Sequence, residues 1–291
     1  MKYIAMIFAV FSFSLGANEK LLKAVPQECN IVIGMKVNDL LKLPIIKENL
    51  KNIPQTSEDT NIKPESVKGI VIGLKAHSEM ELTALGQQPK MFMALETNVP
   101  IKLNDALKMV SGNDVKITKK QYLNKEYHEG VSNGETFGIY QISDTLFIMG
   151  TTELLHKGMA VNINNDKNLL DNAIMKKLIK TDGGVLYAGG YMNESPDFKG
   201  FSLLASYNKG IKLNSRVYCK KAEKATELAM QGNAFIPMLT ANPQMGIKPE
   251  HIKISAKGSS LSAALFVPEN TLKQIPMMLQ NMFAPQMEEI K

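Results

Sequence analysis

Apolar residues along the chain either form short runs, alternate with polar ones, or recur at helical spacing, which predicts strands mixed with amphipathic helices. The β-branched run from Asn30 to Val37 is typical of a strand, and residues 39–51 follow it with helical spacing. Asn133-Gly134 favours a tight hairpin turn. Further strands are predicted at 67–75, 91–97, 115–119, 185–192, 201–207, 211–219, 251–256 and 260–267. Further helices are predicted at 103–110, 152–159, 170–180, 222–235 and from Pro268 to about Phe283.

The two halves of the chain share an order of elements: strands, a helix, a strand–turn–strand unit, and a helix. The segment IYQISDTLFIMGTTELLHKGM in the first half corresponds to IKISAKGSSLSAALFVPENTLKQIPMM in the second. The polar residues 162–168 separate the halves. Hairpin-rich strands with segregated helices indicate an α+β fold. We therefore expect two similar modules, residues 18–161 and 162–291, each a mainly antiparallel sheet with helices packed on one face.

The first 17 residues have the pattern of a secretory signal peptide. Lys2 supplies a positive charge, Tyr3 to Leu15 is almost entirely apolar, and the small residues Gly16-Ala17 follow. The apolar run is shorter than the roughly 20 residues that a membrane-spanning helix needs. These features predict cleavage after Gly16 or Ala17 and a periplasmic or secreted protein that does not span the membrane.

Three segments carry a resemblance to large exported bacterial proteins of unknown function. They are the opening strand CNIVIGMKVNDLL after Val25-Pro26, the strand and helix RVYCKKAEKATELA, and the closing strand and helix ALFVPENTLKQI. The chain resembles such proteins over most of its length after residue 17. The resemblance implies a duplicated α+β module behind a signal peptide, and it implies no catalytic residues.

The positive charge of the chain is carried almost entirely by lysine. Lys and Arg total 34 against 28 Asp and Glu, a formal net charge of +6, and Arg216 is the sole arginine. Arginine supplies the planar fork that reads phosphates and guanine edges, so this composition argues against a nucleic-acid partner. The densest basic run includes Lys212, Arg216 and Lys220. It is either a solvated strand face or a surface that makes weak contact with anionic polysaccharide or lipid headgroups.

Methionine is abundant, with 18 residues, and several of them lie close together near the C-terminus. Met278 and Met282 share a helical stripe with Ile275 and Leu279. Such a stripe packs into a core, or lines an adaptable apolar groove, or in an exported protein binds Cu(I). Of these three roles, we expect core packing.

Sequence motifs for catalysis have little support. Gly130-Val-Ser-Asn-Gly134 matches the G-x-S-x-G nucleophile elbow, but a strand follows it where the elbow requires a helix. The histidines form no zinc-binding pair, although His128 beside Glu129 is a weak signal for acid–base chemistry. We predict no catalytic residues, no metal site and no cofactor.

Two hypotheses about function follow. The first is an exported, non-catalytic binding or structural module whose ligand and partners are unknown. The alternative is a periplasmic or secreted carrier of an apolar, lipid-like ligand held between the sheet and Met-rich helices. For Cys29 and Cys219 we expect two buried free thiols, with Cys29 in phase with Ile31 on the apolar side of its strand.

Overall fold

The structure is a computed structural model of the chain. It describes residues 19–43, 46–47, 63–76, 90–103, 105–107, 117–132, 135–179, 184–192, 194–241 and 246–272. The predicted signal peptide lies outside these residues, as do Met278 and Met282.

Twelve strands form one sheet, and every pairing within it is antiparallel. In chain order the strands are β1 (Ile31–Met35), β2 (Val67–Lys75), β3 (Lys90–Thr97), β4 (Ile117–Tyr122), β5 (Lys125–Ser132), β6 (Glu135–Ser143), β7 (Leu146–Thr151), β8 (Leu186–Tyr191), β9 (Phe198–Tyr207), β10 (Gly210–Cys219), β11 (Ile252–Lys257) and β12 (Ser260–Pro268). Across the sheet their order is β11-β12-β10-β9-β8-β1-β2-β3-β7-β6-β5-β4.

The prediction of two modules, each with its own sheet and helices on one face, is wrong. Strand β1 pairs with β8, from Ile31 opposite Gly190 to Met35 opposite Leu186, so a single sheet runs through both halves of the chain. Hydrophobic patterning shows which side of a strand is buried, but it does not show which strand lies beside it. Both β1 and β8 are buried on both faces, and their backbone groups are satisfied by pairing with each other.

Five helices have defined bounds. They are α1 (Glu19–Ala24), α2 (Val37–Leu41), α3 (Thr152–Asn164), α4 (Ala173–Leu178) and α5 (Ala222–Thr240). Single turns of 3-10 helix lie at Pro64–Ser66, Leu169–Asp171 and Pro249–His251. Residues 105–107 and 269–272 are also helical.

The front face of the sheet is the one that bears Val32, Val71, Phe92 and Ile148, and three helices cover it over the middle strands. Helix α3 packs its fully buried Leu154, Leu155 and Met159 here. Leu21 and Leu22 of α1 and Met175 of α4 belong to the same core cluster, which also contains Tyr187 of β8.

The back face bears Ile33, Ile72, Met93 and Met149, and it is also covered by helical segments. Val37 of α2 and Ala106 pack on its first half together with Leu95 and Phe147. Leu40 and Leu272 pack on its second half, beside Leu186, Ala205 and Ile211. Helices therefore lie on both faces, which is the second point on which the fold prediction is wrong.

Within the part of the chain that the structure describes, no helix has the length and apolar character that crossing a bilayer would require.

Candidate functional site

Strand β10 presents its basic residues to the front of the sheet and its apolar residues to the back. Lys212 and Arg216 are exposed, whereas Ile211 and Cys219 on the opposite side are buried. Successive strand residues point to opposite faces, so this alternation sets the two sides of β10. The predicted separation of Lys212 and Arg216 from the apolar side is confirmed.

The register of the neighbouring strands adds two lysines to this face. Asn214 of β10 lies opposite Ala264 of β12, which lies opposite Lys253 of β11. Tyr218 likewise lies opposite Ser260, which lies opposite Lys257. Directly opposed residues of antiparallel strands share a face, so Lys253 and Lys257 point forward with Lys212 and Arg216. We call these four residues the cation ladder.

The middle strand of the three, β12, contributes small residues to the same face. Ser260, Ser262 and Ala264 alternate there, and all three are half-buried. The Nε atom of Arg216 donates a hydrogen bond to Oγ of Ser262 across 3.3 Å. Because the flanking strands lie about 4.8 Å to either side, the long cationic side chains stand about 10 Å apart across a floor of small ones.

The strands that carry and adjoin the cation ladder have no acidic side chain. Strands β9, β10, β11 and β12 contain no aspartate or glutamate. Among the ion pairs that the structure describes, none involves a residue of the cation ladder. The described lysines that form ion pairs all lie elsewhere, for example Lys75 and Lys90, which both contact Glu153. Four exposed cations without an ion pair among the described residues create a local positive potential that attracts anions.

Helix α5 packs against these strands from the back, the side opposite the cation ladder. A Cβ atom added at Gly232 would lie 2.9 Å from Cδ1 of Ile254, and Ile254 points to the back because it is adjacent to Lys253 in β11. Ala225 and Ala229 are the buried residues of the helix. Small residues allow α5 to lie close to the back of the sheet, behind the cation ladder.

Of the site residues suggested by the sequence, Lys212 and Arg216 come together in this arrangement. Lys220 is exposed but lies in the turn after β10, where its backbone N–H donates to the carbonyl of Asp197 across 2.7 Å. Met278 and Met282 lie outside the described residues. Sequence reasoning missed Lys253 and Lys257. Their alternation with Ile252, Ile254 and Ala256 was visible, but their proximity to β10 depends on the strand order.

A second polar cluster lies on the front face at the other end of the sheet. The carboxylate of Glu129 accepts hydrogen bonds from Tyr127 Oη at 3.3 Å and Thr152 Oγ1 at 3.1 Å. The ring of His156 stacks on that of Tyr122. Burial lowers the pKa of His156, and this effect is larger than the opposing effect of the Glu129 charge, which raises it. His128 lies opposite Ile139, on the back face. The adjacent His128 and Glu129 therefore point to opposite sides, and the suggested acid–base pair does not form.

The other sequence motifs have structural explanations. Ser132 of the G-x-S-x-G match ends β5 and is paired with Glu135 of β6, so strands flank the motif on both sides. A nucleophile elbow needs a strand-to-helix turn, so the match is accidental. Within the described residues there is no group of three or more His, Cys, Asp or Glu side chains placed to hold a metal ion.

Comparison with known proteins identifies no relative of this chain. No protein-family model matches the chain, and no curated protein or solved structure matches it significantly.

Proposed function

We propose that this chain is an exported, non-catalytic binding protein that holds anionic ligands on the open front face of β10, β12 and β11. The cation ladder carries the proposal: Lys212, Arg216, Lys253 and Lys257 share one exposed face of strands that contain no carboxylate. Residues 1–17, with their signal-peptide pattern, support the export.

Binding on this surface requires neither a pocket nor a conformational change. The strands are fixed by their pairing and by α5, while the lysine and arginine heads extend into solvent. Exposed charges interact through water and are screened over about 8 Å at physiological ionic strength. We therefore expect affinity that depends on several charges together and that declines steeply as salt is added.

The test is retention of the protein on a dextran sulfate matrix at increasing salt. The fourfold variant K212Q/R216Q/K253Q/K257Q removes the cation ladder and should elute at much lower salt than the natural chain. The matched control K102Q/K125Q/K167Q/K177Q removes the same charge from exposed lysines elsewhere and should elute only slightly earlier. Equal loss of retention in both variants would show that net charge alone is responsible and would refute the proposal.

A further inference from the structure

We infer that the ligand is an extended acidic polysaccharide chain that lies lengthwise along β12. This inference rests on the function proposed above and specifies its ligand. It is drawn from the order of the four cations along the strand, the floor between them, and the side chains at the two ends of the floor.

The cations alternate from one side of β12 to the other. Lys212 on β10 is level with Phe266, and Lys253 on β11 is level with Ala264. Arg216 on β10 is level with Ser262, and Lys257 on β11 is level with Ser260. Each step advances two residues along β12, or about 6.6 Å, so the four charges extend over about 20 Å. Charges in this arrangement match a linear ligand whose anionic groups project to alternate sides.

The floor between the cations suits a sugar chain. Ser260, Ser262 and Ala264 leave a shallow channel about 10 Å across, the distance from β10 to β11. Hydroxyl and amide groups border it, including Ser255 opposite Ser262 and Asn214 opposite Ala264. Such groups both donate and accept hydrogen bonds, as sugar hydroxyls require.

Aromatic side chains lie at both ends of the channel. Phe266 is half-buried at one end, and its ring meets that of His251 edge-on with centroids 5.4 Å apart. Tyr218 is half-buried at the other end, opposite Ser260. Aromatic rings with one accessible side offer apolar surface against which the C–H side of a pyranose ring packs.

These features favour a polysaccharide over an anionic bilayer. A protein that docks on a bilayer combines basic residues with apolar side chains that enter the lipid. The large exposed apolar side chains nearest to this region are Met230, Phe235, Met238 and Leu239 of α5. That helix packs on the back of the sheet, so these side chains lie on the side opposite the cation ladder.

The test is calorimetric titration with α-1,4-linked oligogalacturonates from dimer to decamer at low salt. Affinity per chain should rise with length until the oligomer spans the cation ladder and then level off. The variant S262Y keeps all four cations but fills the floor, and it should lower the affinity for the longer oligomers at least tenfold. The control T136Y places tyrosine at an exposed position of β6, near the other end of the sheet, and should change nothing.

The outcomes separate this inference from the function on which it rests. Binding of vesicles rich in phosphatidylglycerol that exceeds oligogalacturonate binding, and that S262Y leaves unchanged, overturns the polysaccharide but keeps the anion-binding surface. Oligomer affinity that is independent of length overturns the lengthwise placement even if S262Y fails to fold. Failure of the natural chain to bind dextran sulfate, oligogalacturonates and vesicles alike overturns both.

Discussion

The imidazole of His156 lies parallel to the phenol ring of Tyr122, with ring centroids 4.0 Å apart and an interplanar angle of 1°. Tyr127 meets the same imidazole edge-on at 5.2 Å. The Nε2 atom of His156 is buried and has no hydrogen-bond partner among the described residues. A protonated imidazole would hold an additional buried proton without an acceptor, so the fold favours the neutral form.

This arrangement predicts a loss of stability in mild acid. Burial is the largest effect on both histidines, and it lowers the pKa of His156 and of His128 from the ordinary value of 6.5. Below pH 6.5 the unfolded chain therefore takes up more protons at these positions than the folded chain does, and the free energy of unfolding falls. Urea titrations between pH 7.5 and 5.5 measure this slope. This range lies above the ordinary Glu pKa of 4.5, and hydrogen bonds from Lys75 and Lys90 lower the pKa of Glu153 further, so Glu153 contributes little to the change.

The variant H156F retains a ring for stacking and removes the titration, so its slope should be shallower than that of the natural chain. A variant that also carries H128F should have a slope that is shallower still. An unchanged slope in the double variant would contradict the assignment.

The glycine at position 158 is required by the close approach of α3 to the sheet. A Cβ atom there would overlap the ring of Phe92 and lie 3.2 Å from Cδ1 of Ile148. We expect G158A to lower the free energy of unfolding by about 1–3 kcal/mol, the usual cost of overpacking. Chemical denaturation measures the loss, and adding F92L should recover part of it because the smaller side chain makes room.

Gly232 of α5 supplies a matched control. Its added Cβ would meet only the end of the Ile254 side chain, at 2.9 Å from Cδ1, which can rotate away. Alanine also favours a helix over glycine by about 1 kcal/mol. G232A should therefore be neutral or stabilising, and a large loss would show that glycine-to-alanine changes in these helices are costly for another reason.

The two cysteines should be unreactive while the protein is folded. Both are fully buried and unpaired, which confirms the expectation of free thiols. Burial is also the largest effect raising the pKa of each thiol, so little thiolate is present at neutral pH. Ellman's reagent should detect no thiol in the native protein and two in denaturant.

Strand order excludes a bridge between them on geometric grounds. Cys29 lies just before β1 and Cys219 ends β10, three strands away across the sheet, which corresponds to about 14 Å. A disulfide needs Cα atoms within about 7 Å. Detection of no thiol in denaturant would contradict this placement.

Export predicts a shortened N-terminus. The secreted protein should begin at Ala17 or Asn18, and F8K should leave the full-length precursor inside the cell because it interrupts the apolar run. N-terminal sequencing and fractionation measure both results. The conservative change F8L keeps the run apolar and should be processed normally, whereas an exported chain beginning at Met1 would refute the signal peptide.

Local pattern predicted much of the strand content and the two sides of β10, because alternation along a strand directly reflects burial. It placed Cys29 incorrectly. The strand begins at Ile31, and Cys29 precedes it with its sulfur close to Gly73 and Val25 on the front of the sheet, whereas Ile31 points to the back. Alternation cannot be extended past the first paired residue, because the backbone there has a different conformation.

The cation ladder could be predicted only in part for a related reason. Lys212 and Arg216 belong to one strand and were found together, whereas Lys253 and Lys257 reach the same face through β12. Which strands are neighbours in a sheet depends on backbone hydrogen bonds between them. Every residue type can form these bonds, except that proline has no N–H to donate. The sequence therefore carries little information about which strands are adjacent.

The pairing of β1 with β8 also affects how the protein reaches its native state. Residues 31–35 must find partners about 155 positions later in the chain, and closing so long a loop costs more entropy than forming any hairpin in the sheet. Contacts between distant parts of a chain slow folding, whereas β4–β5, β6–β7, β9–β10 and β11–β12 need only a short turn. The middle of the sheet is thus expected to close last, joining outer strands that are already paired.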